Sequence, residues 1–595
     1  MYLGTSLYAE TEEELEEISI TASRIDVTDL RANVIEASDF ADHSQLIDIL
    51  ALLPNVASSR SGGYGTLSQL RVRGAEANHT KIMIDGVTLN ELDGGFNFGV
   101  LNSVGIKRIE SLNGPLSSVW GSDAMAGVIA FDTRPKDSGA ALKLSTGSAG
   151  YTDIHGFVDR VKPDDFVALG VSVTGADGYN LSDFGDEKDG FEQRAVNLSG
   201  GQSLETLEYR SSVRFNRTQS DYDPFLGDGD YESDIERLSF GSTLTWVDKA
   251  KWEPSLQISG LSSKSSNLLK GSETNSHEYL DHRLTFVNSF DIQENLKLSM
   301  FYEYQAKSFD QSGQALLFGN PNQKQSIDSQ SLGGELVVRL QATELRFAQR
   351  FDDNEQFKQS RGWNVLVNHT IASHKLYFSA GTGYSHPSFI DRFGYTPDTF
   401  IGNPNLKSEQ VSQAEVGWIK KHQAGEIRIA AFYSQLQNEI DGYVFDPERF
   451  AFTSQNIDGE SQRHGIELVM NFNLDWGVVR SNLSLIESTE EDLREIRRPR
   501  QLGSLFYRST TWHGYTVQFG IEHNGSQKDK DFSTFPATPE TLDSYSLLRA
   551  SVQKRINNFT TIAIRGENVL DTEYTNVIGI NMPTRQLFLT LKFES

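Results

Sequence analysis

The sequence has no cysteine among its 595 residues, which excludes disulfide bonds, thiol catalysis and cysteine metal sites. It also has no run of about 18 consecutive apolar residues, so no transmembrane helix is expected. Basic residues are scarce, with 54 Lys and Arg against 81 Asp and Glu and a formal net charge of -27. This balance argues against nucleic-acid binding. The 12 histidines show no metal-ligand spacing, and the sequence predicts no enzyme, because no catalytic constellation is recognisable.

Aromatic residues make up 10% of the chain, although its hydrophobic content is only 37%. From about Ala140 onward, apolar and polar residues alternate with a period of two, most clearly at 209–216, 238–246, 296–305 and 515–522. An apolar face opposite a polar face is what a lipid-facing barrel wall with a wet interior requires. A soluble solenoid or propeller would also alternate, but no fixed repeat period is present. The larger part of the chain is therefore predicted to be a transmembrane β-barrel.

The N-terminal part follows a different pattern, which is clearest at residues 106–133. An alternating start, IKRIE, is followed by Gly114-Pro115, a small-residue segment and an apolar run at 127–131. Because glycine and proline stop strands, this predicts a strand–turn–strand unit. Upstream, residues 44–54 have helical spacing, with Ser44 as a candidate N-cap and Pro54 as the stop. Short strands are predicted around RVRG and at 81–84, before an Asp-Gly turn.

The order of leucine-rich helix, RVRG, IDGV and IKRIE…GP…WG resembles the plug domain of TonB-dependent outer-membrane receptors. The resemblance implies a mainly β fold, a 22-stranded antiparallel transmembrane β-barrel filled by a small N-terminal α+β plug domain. It divides the chain into a signal-peptide remnant (1–9), a TonB-box segment with linker (10–30), a plug (31–137) and the barrel (138–595). The implied location is the outer membrane of a Gram-negative bacterium, as a monomeric multi-pass barrel surrounded by outer-membrane lipid.

Residues 17–24, EISITASR, form a short β-prone segment directly after an acidic run. A flexible segment of this kind can add a strand to a partner's sheet. Ahead of a plug, it resembles the TonB box that the inner-membrane TonB energy-transducing complex grips. The resemblance assigns that role to Glu17, Ile18, Ser19, Ile20, Thr21 and Ala22. Residues 7–9, LYA, are a plausible signal-peptidase site, with a plain disordered terminus as the alternative.

Two segments, 176–191 and 215–238, are rich in aspartate and glutamate. Read from the residues alone, they are either solvated acidic loops or the oxygen-rich cage that a hard cation such as calcium requires. They resemble the calcium-ordered loops of the cobalamin outer-membrane transporter family. Carried over by position, the calcium ligands would be Asn180, Glu187, Asp189, Tyr222, Asp223 and Asp234. Asn180 and Glu187 stand where the family usually has aspartate, yet both keep an oxygen donor.

The glycine-rich segments near Tyr64 and at 90–105 are ordinary surface loops or, in the family's architecture, part of the plug apex that faces the ligand. The apex interpretation gives Tyr64, Thr66, Leu92, Asp93, Phe96 and Phe98 as substrate-binding residues. The function that the resemblance implies is TonB-dependent import of cobalamin or a related corrinoid. The alternatives are a ferric-siderophore or haem receptor with the same mechanism, and a passive porin or adhesin barrel that needs no TonB box.

Overall fold

The fold was analysed in a computed structural model of the chain. It describes residues 31–40, 45–182, 186–223, 227, 229–247, 251–315, 320–396, 399–491 and 493–595. The TonB-box residues Glu17 to Ala22 and the expected signal-peptide remnant lie outside these residues. In the described parts of the chain, no helix is long and apolar enough to cross a membrane.

The N-terminal part folds into a small mixed domain inside the barrel. Five of its strands form one sheet in the order β1-β6-β7-β4-β5, in which β4 and β7 run parallel, and β2 pairs with β3 in a separate hairpin. Two 3-10 turns cover Ala77–His79 and Phe98–Val100. The strands and helices are β1 (Asn33–Glu36), α1 (Ala37–Phe40), α2 (Leu46–Leu50), β2 (Val56–Arg60), β3 (Ser68–Val72), β4 (Thr80–Ile84), β5 (Val87–Thr88), β6 (Arg108–Asn113), α3 (Ser117–Trp120) and β7 (Gly127–Asp132).

The segment 106–133 supplies the centre of this domain, as the sequence indicated. Strand β6 pairs antiparallel with β7 over Arg108↔Asp132 to Asn113↔Gly127, and the short helix α3 fills the connection. Gly127 is required here, because its φ is +156° and a Cβ would lie 2.5 Å from the backbone oxygen of Leu112. The predicted helix at 44–54 is shorter than expected: it spans Leu46–Leu50, and Gln45 occupies the N-cap position. Its leucines and isoleucines are fully buried in the domain core.

The described part of the remaining chain forms a closed antiparallel barrel of 22 strands, together with seven further short strands, so the predicted fold class is confirmed. In chain order the strands are β8 (Gly139–Gly147), β9 (Thr152–Val161), β10 (Asp165–Tyr179), β11 (Asp189–Ser203), β12 (Leu207–Tyr222), β13 (Tyr231–Trp246), β14 (Trp252–Leu269), β15 (Ser272–Gln293), β16 (Leu296–Gly313), β17 (Gln323–Leu340), β18 (Thr343–Asn354), β19 (Lys358–Ile371), β20 (His374–Ser385), β21 (Tyr395–Thr396), β22 (Phe400–Ile401), β23 (Glu409–His422), β24 (Gly425–Gln437), β25 (Ile440–Asp446), β26 (Ala451–Asn456), β27 (Glu460–Leu474), β28 (Gly477–Glu490), β29 (Leu493–Arg494), β30 (Gln501–Ser509), β31 (Tyr515–Asn524), β32 (Gln527–Asp531), β33 (Thr538–Leu542), β34 (Tyr545–Arg555), β35 (Thr560–Glu567) and β36 (Gln586–Glu594).

The short strands β21, β22, β25, β26, β32 and β33 belong to loops at one end of the barrel, and β29 extends the pairing of β28. The same end carries the helix α4 (Phe389–Phe393) between β20 and β21. Connections at this end are long, as at 438–459, whereas those at the other end are short turns such as 341–342. Barrels of this kind have short periplasmic turns and long extracellular loops. The long-loop end is therefore the extracellular end.

Alternation sorts the side chains of each barrel strand between lipid and lumen. In β10, Val167, Leu169, Val171 and Val173 are exposed on the outer face, while Ala168, Ser172 and Thr174 are buried inside. Pairing of β36 with β8, from Phe588↔Gly147 to Glu594↔Ala141, closes the wall so that no edge remains. All backbone groups of the wall can then pair within the sheet, which the bilayer interior demands.

The outer face of β10 gives a direct test of the membrane position. We expect Val171→Lys, near the middle of the strand, to lower the free energy of unfolding by about 2–4 kcal/mol, since a lysine at the bilayer midplane is costly. The matched variant Val167→Lys lies close to the periplasmic turn and should cost about 0–1 kcal/mol. Urea titration in lipid vesicles measures both values. Equal losses for the two variants would contradict the assigned membrane depth.

Candidate functional site

The extracellular apex of the inner domain is a tight loop that begins after β5. Asn90 fixes its shape: the buried amide donates hydrogen bonds to the backbone oxygens of Thr80 and Gly94, both at 2.9 Å, and accepts one from the backbone nitrogen of Ile82 at 2.8 Å. The loop then contacts α4, where the backbone nitrogen of Ile390 donates to the oxygen of Leu92 at 3.1 Å. The plug apex, defined as residues 92–95, therefore lies directly beneath the loop that connects β20 to β23.

Of the expected substrate-binding residues, Leu92 and Asp93 lie at this apex. Leu92 is half-buried, and Asp93 is exposed and accepts a hydrogen bond from the backbone nitrogen of Gly95 at 3.0 Å. Although solvent reaches Asp93, the protein around it reduces its hydration, and together with the neighbouring Glu91 this raises the pKa of Asp93 to about 6. The apex thus offers one apolar and one titratable side chain to a molecule above it.

Phe96 and Phe98, also expected to face the ligand, are buried in the core of the inner domain. Their rings meet edge to face at 4.9 Å, and the guanidinium of Arg237 lies 5.0 Å from the centre of the Phe96 ring. Both rings are almost fully withdrawn from solvent. This differs from the sequence expectation, because both rings pack into the apolar core of the inner domain.

Tyr64 and Thr66 connect the inner domain to the barrel wall. Tyr64 packs against Phe191 and Tyr151, with ring centres 5.6 and 5.2 Å away, and its hydroxyl donates to Gln586 at 2.9 Å. Thr66 is buried, and its hydroxyl donates to the backbone oxygen of Gly63 at 3.0 Å. The structure does not bring these two side chains to the apex.

Three of the six expected calcium ligands come together at the extracellular ends of β11 and β12. Ligand atoms of Glu187, Asp189 and Asp223 all lie within 4.8 Å of one another. Asp189 accepts a hydrogen bond from the backbone nitrogen of Leu181 at 2.8 Å, and its Oδ1 is buried with no hydrogen bond from any described residue. An all-oxygen set of carboxylates, one with a buried oxygen that no described residue hydrogen-bonds, fits a hard cation such as calcium.

The other three expected ligands have different neighbours. Asp234 forms two hydrogen bonds with Arg217, at 3.0 and 2.6 Å, on the outer face of the barrel. The ring of Tyr222 packs against Tyr231, with centres 5.6 Å apart. The side-chain oxygen of Asn180 accepts from the backbone nitrogen of Ser182 at 2.8 Å. The carboxylate cluster, defined as Glu187, Asp189 and Asp223, is therefore smaller than the set carried over by position.

The residues that the sequence did not reveal are those that hold the inner domain in the barrel. Arg73, the second arginine of RVRG, donates to Glu415 at 2.7 Å and to Glu467 at 2.5 Å, and all three side chains are buried. These two carboxylates keep the pKa of Arg73 above its usual value despite burial. Arg498, in the connection before β30, pairs with Glu76 and Glu495 nearby. The RVRG motif drew attention to Arg73, but the sequence could not reveal its partners, because they lie hundreds of residues away along the chain.

Comparison with known proteins identifies the family of this plug-and-barrel arrangement. Residues 170–569 match the profile described as TonB dependent receptor-like, beta-barrel, and residues 24–128 match the TonB-dependent Receptor Plug Domain. The chain belongs to the TonB-dependent receptor family. Members are non-enzymatic transport proteins of the Gram-negative outer membrane, so the predicted family, location and absence of enzymatic activity are confirmed. Membership also implies interaction with TonB and with a substrate.

Curated relatives and solved structures of TonB-dependent receptors match nearly the whole chain. The vitamin B12 transporter BtuB of Vibrio cholerae serotype O1 is 24% identical over 619 residues, covering 99% of this chain and 97% of the relative. BtuB of Vibrio vulnificus is 24% identical over 578 residues, covering 92% of this chain and 89% of the relative.

The structural neighbours are receptors for other molecules. The siderophore receptor PirA from Acinetobacter baumannii has a TM-score of 0.79 at 14% identity, covering 95% of this chain and 98% of its own. The ferric enterobactin receptor PfeA from Pseudomonas aeruginosa, in complex with enterobactin, has a TM-score of 0.79 at 13% identity, covering 95% of this chain and 99% of its own. At these identities the likeness shows the fold alone.

The ion pairs of Arg73 predict how firmly the plug is held. We expect Arg73→Leu to cost about 3–5 kcal/mol, because it leaves Glu415 and Glu467 buried without their cation. The readout is the urea concentration at which proteases cut the plug while the barrel stays resistant. The control Arg339→Leu removes an exposed pair with Glu344 and should cost less than about 1 kcal/mol. An unchanged plug midpoint for Arg73→Leu would contradict this anchoring role.

Proposed function

We propose that this receptor imports cobalamin or a related corrinoid across the outer membrane. The observation that carries the proposal is the similarity to vitamin B12 transporters over 99% of the chain. The carboxylate cluster supports it, since it lies in the two loops that resemble calcium-ordered loops of that family. The solved neighbours named for siderophores do not favour a siderophore here, because at 13–14% identity they carry the fold only.

Calcium is proposed to be held by Glu187, Asp189 and Asp223, together with backbone carbonyls and water. The bound ion would supply positive charge that draws the carboxylates together and fixes the two loops. Glu187 and Asp189 lie at the start of β11, and Asp223 directly follows the adjacent strand β12. Loops that are ordered in advance lose less conformational entropy when they close over a bulky ligand. The cluster therefore favours capture of a large cargo above the plug apex.

Energy for the import is proposed to come through the TonB box. Residues Glu17 to Ala22 lie ahead of the first described strand, β1, and their role as the partner-binding segment stays a prediction from sequence. A β-prone segment of this kind can pair with the edge of the transducer's sheet. The transducer would then pull on the chain that leads into the plug.

Titration of the purified receptor with cyanocobalamin, with and without calcium, tests the cargo and the metal together. We expect Asp189→Asn and Asp223→Asn each to lower the affinity for calcium at least about tenfold, since affinity follows the number of charged ligands. The control Asp310→Asn, which breaks an exposed pair with Lys324, should leave it unchanged. Asp234→Asn distinguishes the carboxylate cluster from the six ligands carried over by position. A loss of calcium affinity in this variant supports the six-ligand set, and an unchanged affinity supports the cluster.

The same titration decides between cargoes. Binding of cyanocobalamin that calcium strengthens supports the proposal. Binding of a ferric siderophore or haem without any cyanocobalamin binding would overturn the cargo assignment and leave the family membership intact.

Deletion of residues 17–22 tests the energised mechanism. We expect the deletion to abolish uptake of labelled cyanocobalamin by cells while binding at the cell surface remains, because the transducer loses the segment that it binds. Deleting an equal length of the acidic run at 10–15 controls for a shortened N-terminus. High-affinity uptake that survives the loss of 17–22 would support the passive-barrel alternative.

A further inference from the structure

The barrel wall separates between β19 and β20 at its extracellular end. Pairing of these two strands ends at Trp363↔Thr382, although β19 starts five residues earlier and β20 ends three residues later. On either side, the pairing of β18 with β19 and of β20 with β23 continues to the extracellular ends of the strands. We call the gap between residues 358–362 and 383–385 the seam. Below it, the two strands are paired down to their periplasmic turn.

Helix α3 of the plug binds the end of β20 in place of β19. The backbone nitrogen of Tyr384 donates to Ser117 Oγ at 3.2 Å, and Ser117 Oγ lies 3.3 Å from the backbone oxygen of Tyr384. The Tyr384 hydroxyl donates to the buried carboxylate of Asp352 on β18. Gly383 leaves room for the helix, since a Cβ there would lie 2.9 Å from Ser117 Oγ. The plug therefore draws the end of β20 inward and keeps the seam open.

A cavity of about 460 Å³ fills the seam on the outer surface of the barrel. Each of its outward-facing residues stands an even number of positions from an exposed apolar residue of the same strand, so it shares that residue's face. A cavity of this size can hold a small organic group. We call it the seam groove. Its outward-facing lining includes Gln359 and Arg361 of β19, Thr382 of β20, Gln410 of β23, and Gln435 and Gln437 of β24.

The seam groove lies at the level of the lipid headgroups. Towards the periplasm, the same four strands expose Trp363, Phe378, Val416 and Tyr433 on their outer faces. Barrels of this kind carry a girdle of aromatic residues where the apolar band meets the aqueous phase. Trp363 and Tyr433 stand only two positions from Arg361 and from Gln435. The groove therefore opens sideways, just above the acyl chains of the outer leaflet.

Glutamine side chains dominate the seam groove. Each amide offers two N–H donors and one carbonyl acceptor. Gln435 and Gln437 donate to Glu460 at the margin of the groove. The side chains of Gln359 and Gln410 have no hydrogen-bond partner among the described residues. Because sugar hydroxyls both donate and accept, this set of amides matches a sugar.

Arg361 is the only charged residue that lines the seam groove. Its guanidinium lies 5.5 Å from the centre of the Phe351 ring and pairs with no carboxylate of the described residues. By contrast, Arg194 on the outer face of β11 pairs with Glu192 at 2.5 Å. An arginine without an internal counter-ion, in a chain with a net charge of -27, is suited to bind a phosphate.

We propose that the seam groove binds the phosphorylated sugar headgroup of a glycolipid from the outer leaflet. Arg361 holds the phosphate, and the amides of Gln359 and Gln410 bind the sugar hydroxyls. The acyl chains then lie along Trp363 and the apolar residues below it. The site goes beyond the proposed import function, because its ligand is a resident membrane lipid that closes the outer side of the seam.

Native mass spectrometry of the delipidated full-length receptor tests the site, with lipid A that carries two phosphates as the probe. We expect one tightly bound lipid A per receptor. Arg361→Gln should lower the affinity at least about tenfold, because it removes a charge-assisted hydrogen bond. The matched control Arg194→Gln removes an outer-face arginine that already has a partner, and should change the affinity less than about twofold. Equal losses in the two variants would overturn the site.

Two further lipids test the chemistry of the headgroup. Lipid A stripped of its phosphates keeps the sugars and should bind at least about tenfold more weakly than the phosphorylated form, because it leaves Arg361 without an anion. Phosphatidylglycerol keeps a phosphate but has no sugar, and should also bind more weakly. Equal binding of the stripped lipid would overturn the role of Arg361, and equal binding of phosphatidylglycerol would overturn the sugar site.

Hydrogen exchange locates the bound lipid. In phosphatidylglycerol nanodiscs, added lipid A should slow exchange of the backbone amides at 359–362, because the headgroup excludes water from the seam. Arg361→Gln should abolish this slowing, and residues 192–195 of β11 should be unaffected. An unchanged urea midpoint shows that the variant is folded. Slowing at 192–195 as well, or none at 359–362, would overturn the site. Neither readout uses cyanocobalamin, so both remain decisive if the proposed cargo is wrong.

Discussion

A chain that crosses a bilayer with strands must satisfy every backbone N–H and C=O group inside the protein, and much of this structure follows from that requirement. The pairing of β36 with β8 closes the sheet and removes its edges. Closure gives the wall an apolar outer face and a polar inner face. Although the inner face is largely polar, the plug is held both by ion pairs and hydrogen bonds and by apolar contacts with wall residues such as Leu261, Tyr279 and Phe309.

These polar contacts hold the plug on more than one side of the barrel. Arg73 is enclosed by Glu415 and Glu467, so separating them would leave buried charges without partners. On the side of β12 and β13, Arg214 donates to the backbone oxygens of Val104 and Asn102, at 2.7 and 2.5 Å, and Arg237 pairs with Glu91. A transporter needs a seal that survives at rest and a part that moves under load.

The sequence predicted the elements whose signal is local. Alternation along β10 or β16 marks the wall because each strand carries its own two faces, and the glycine-proline break at 114–115 marks the connection between β6 and β7. The carboxylate cluster was partly predictable, since Glu187, Asp189 and Asp223 stand next to the ends of adjacent strands.

What the sequence did not predict depends on register or on distant partners. A shift of one position decides whether Asp234 faces the lumen or lipid, and only the pairing of β13 with β12 fixes it on the outer face beside Arg217. The glutamates that pair with Arg73 lie 342 and 394 residues further along the chain. The inward turn of Phe96 and Phe98 likewise follows from packing that no local pattern contains.

The strands differ greatly in length around the barrel, from 22 residues in β15 to 8 in β35. At about 3.3 Å per residue, the wall at β15 extends tens of ångströms further than the wall at β35. The mouth of the barrel is thus a stiff hydrogen-bonded sheet on one side, and on the other a rim built from the connections at 525–544 and 568–585. Amide hydrogens will exchange slowly along the first side and quickly along the second. Insertions and peptide tags will be tolerated in the loops of the second side.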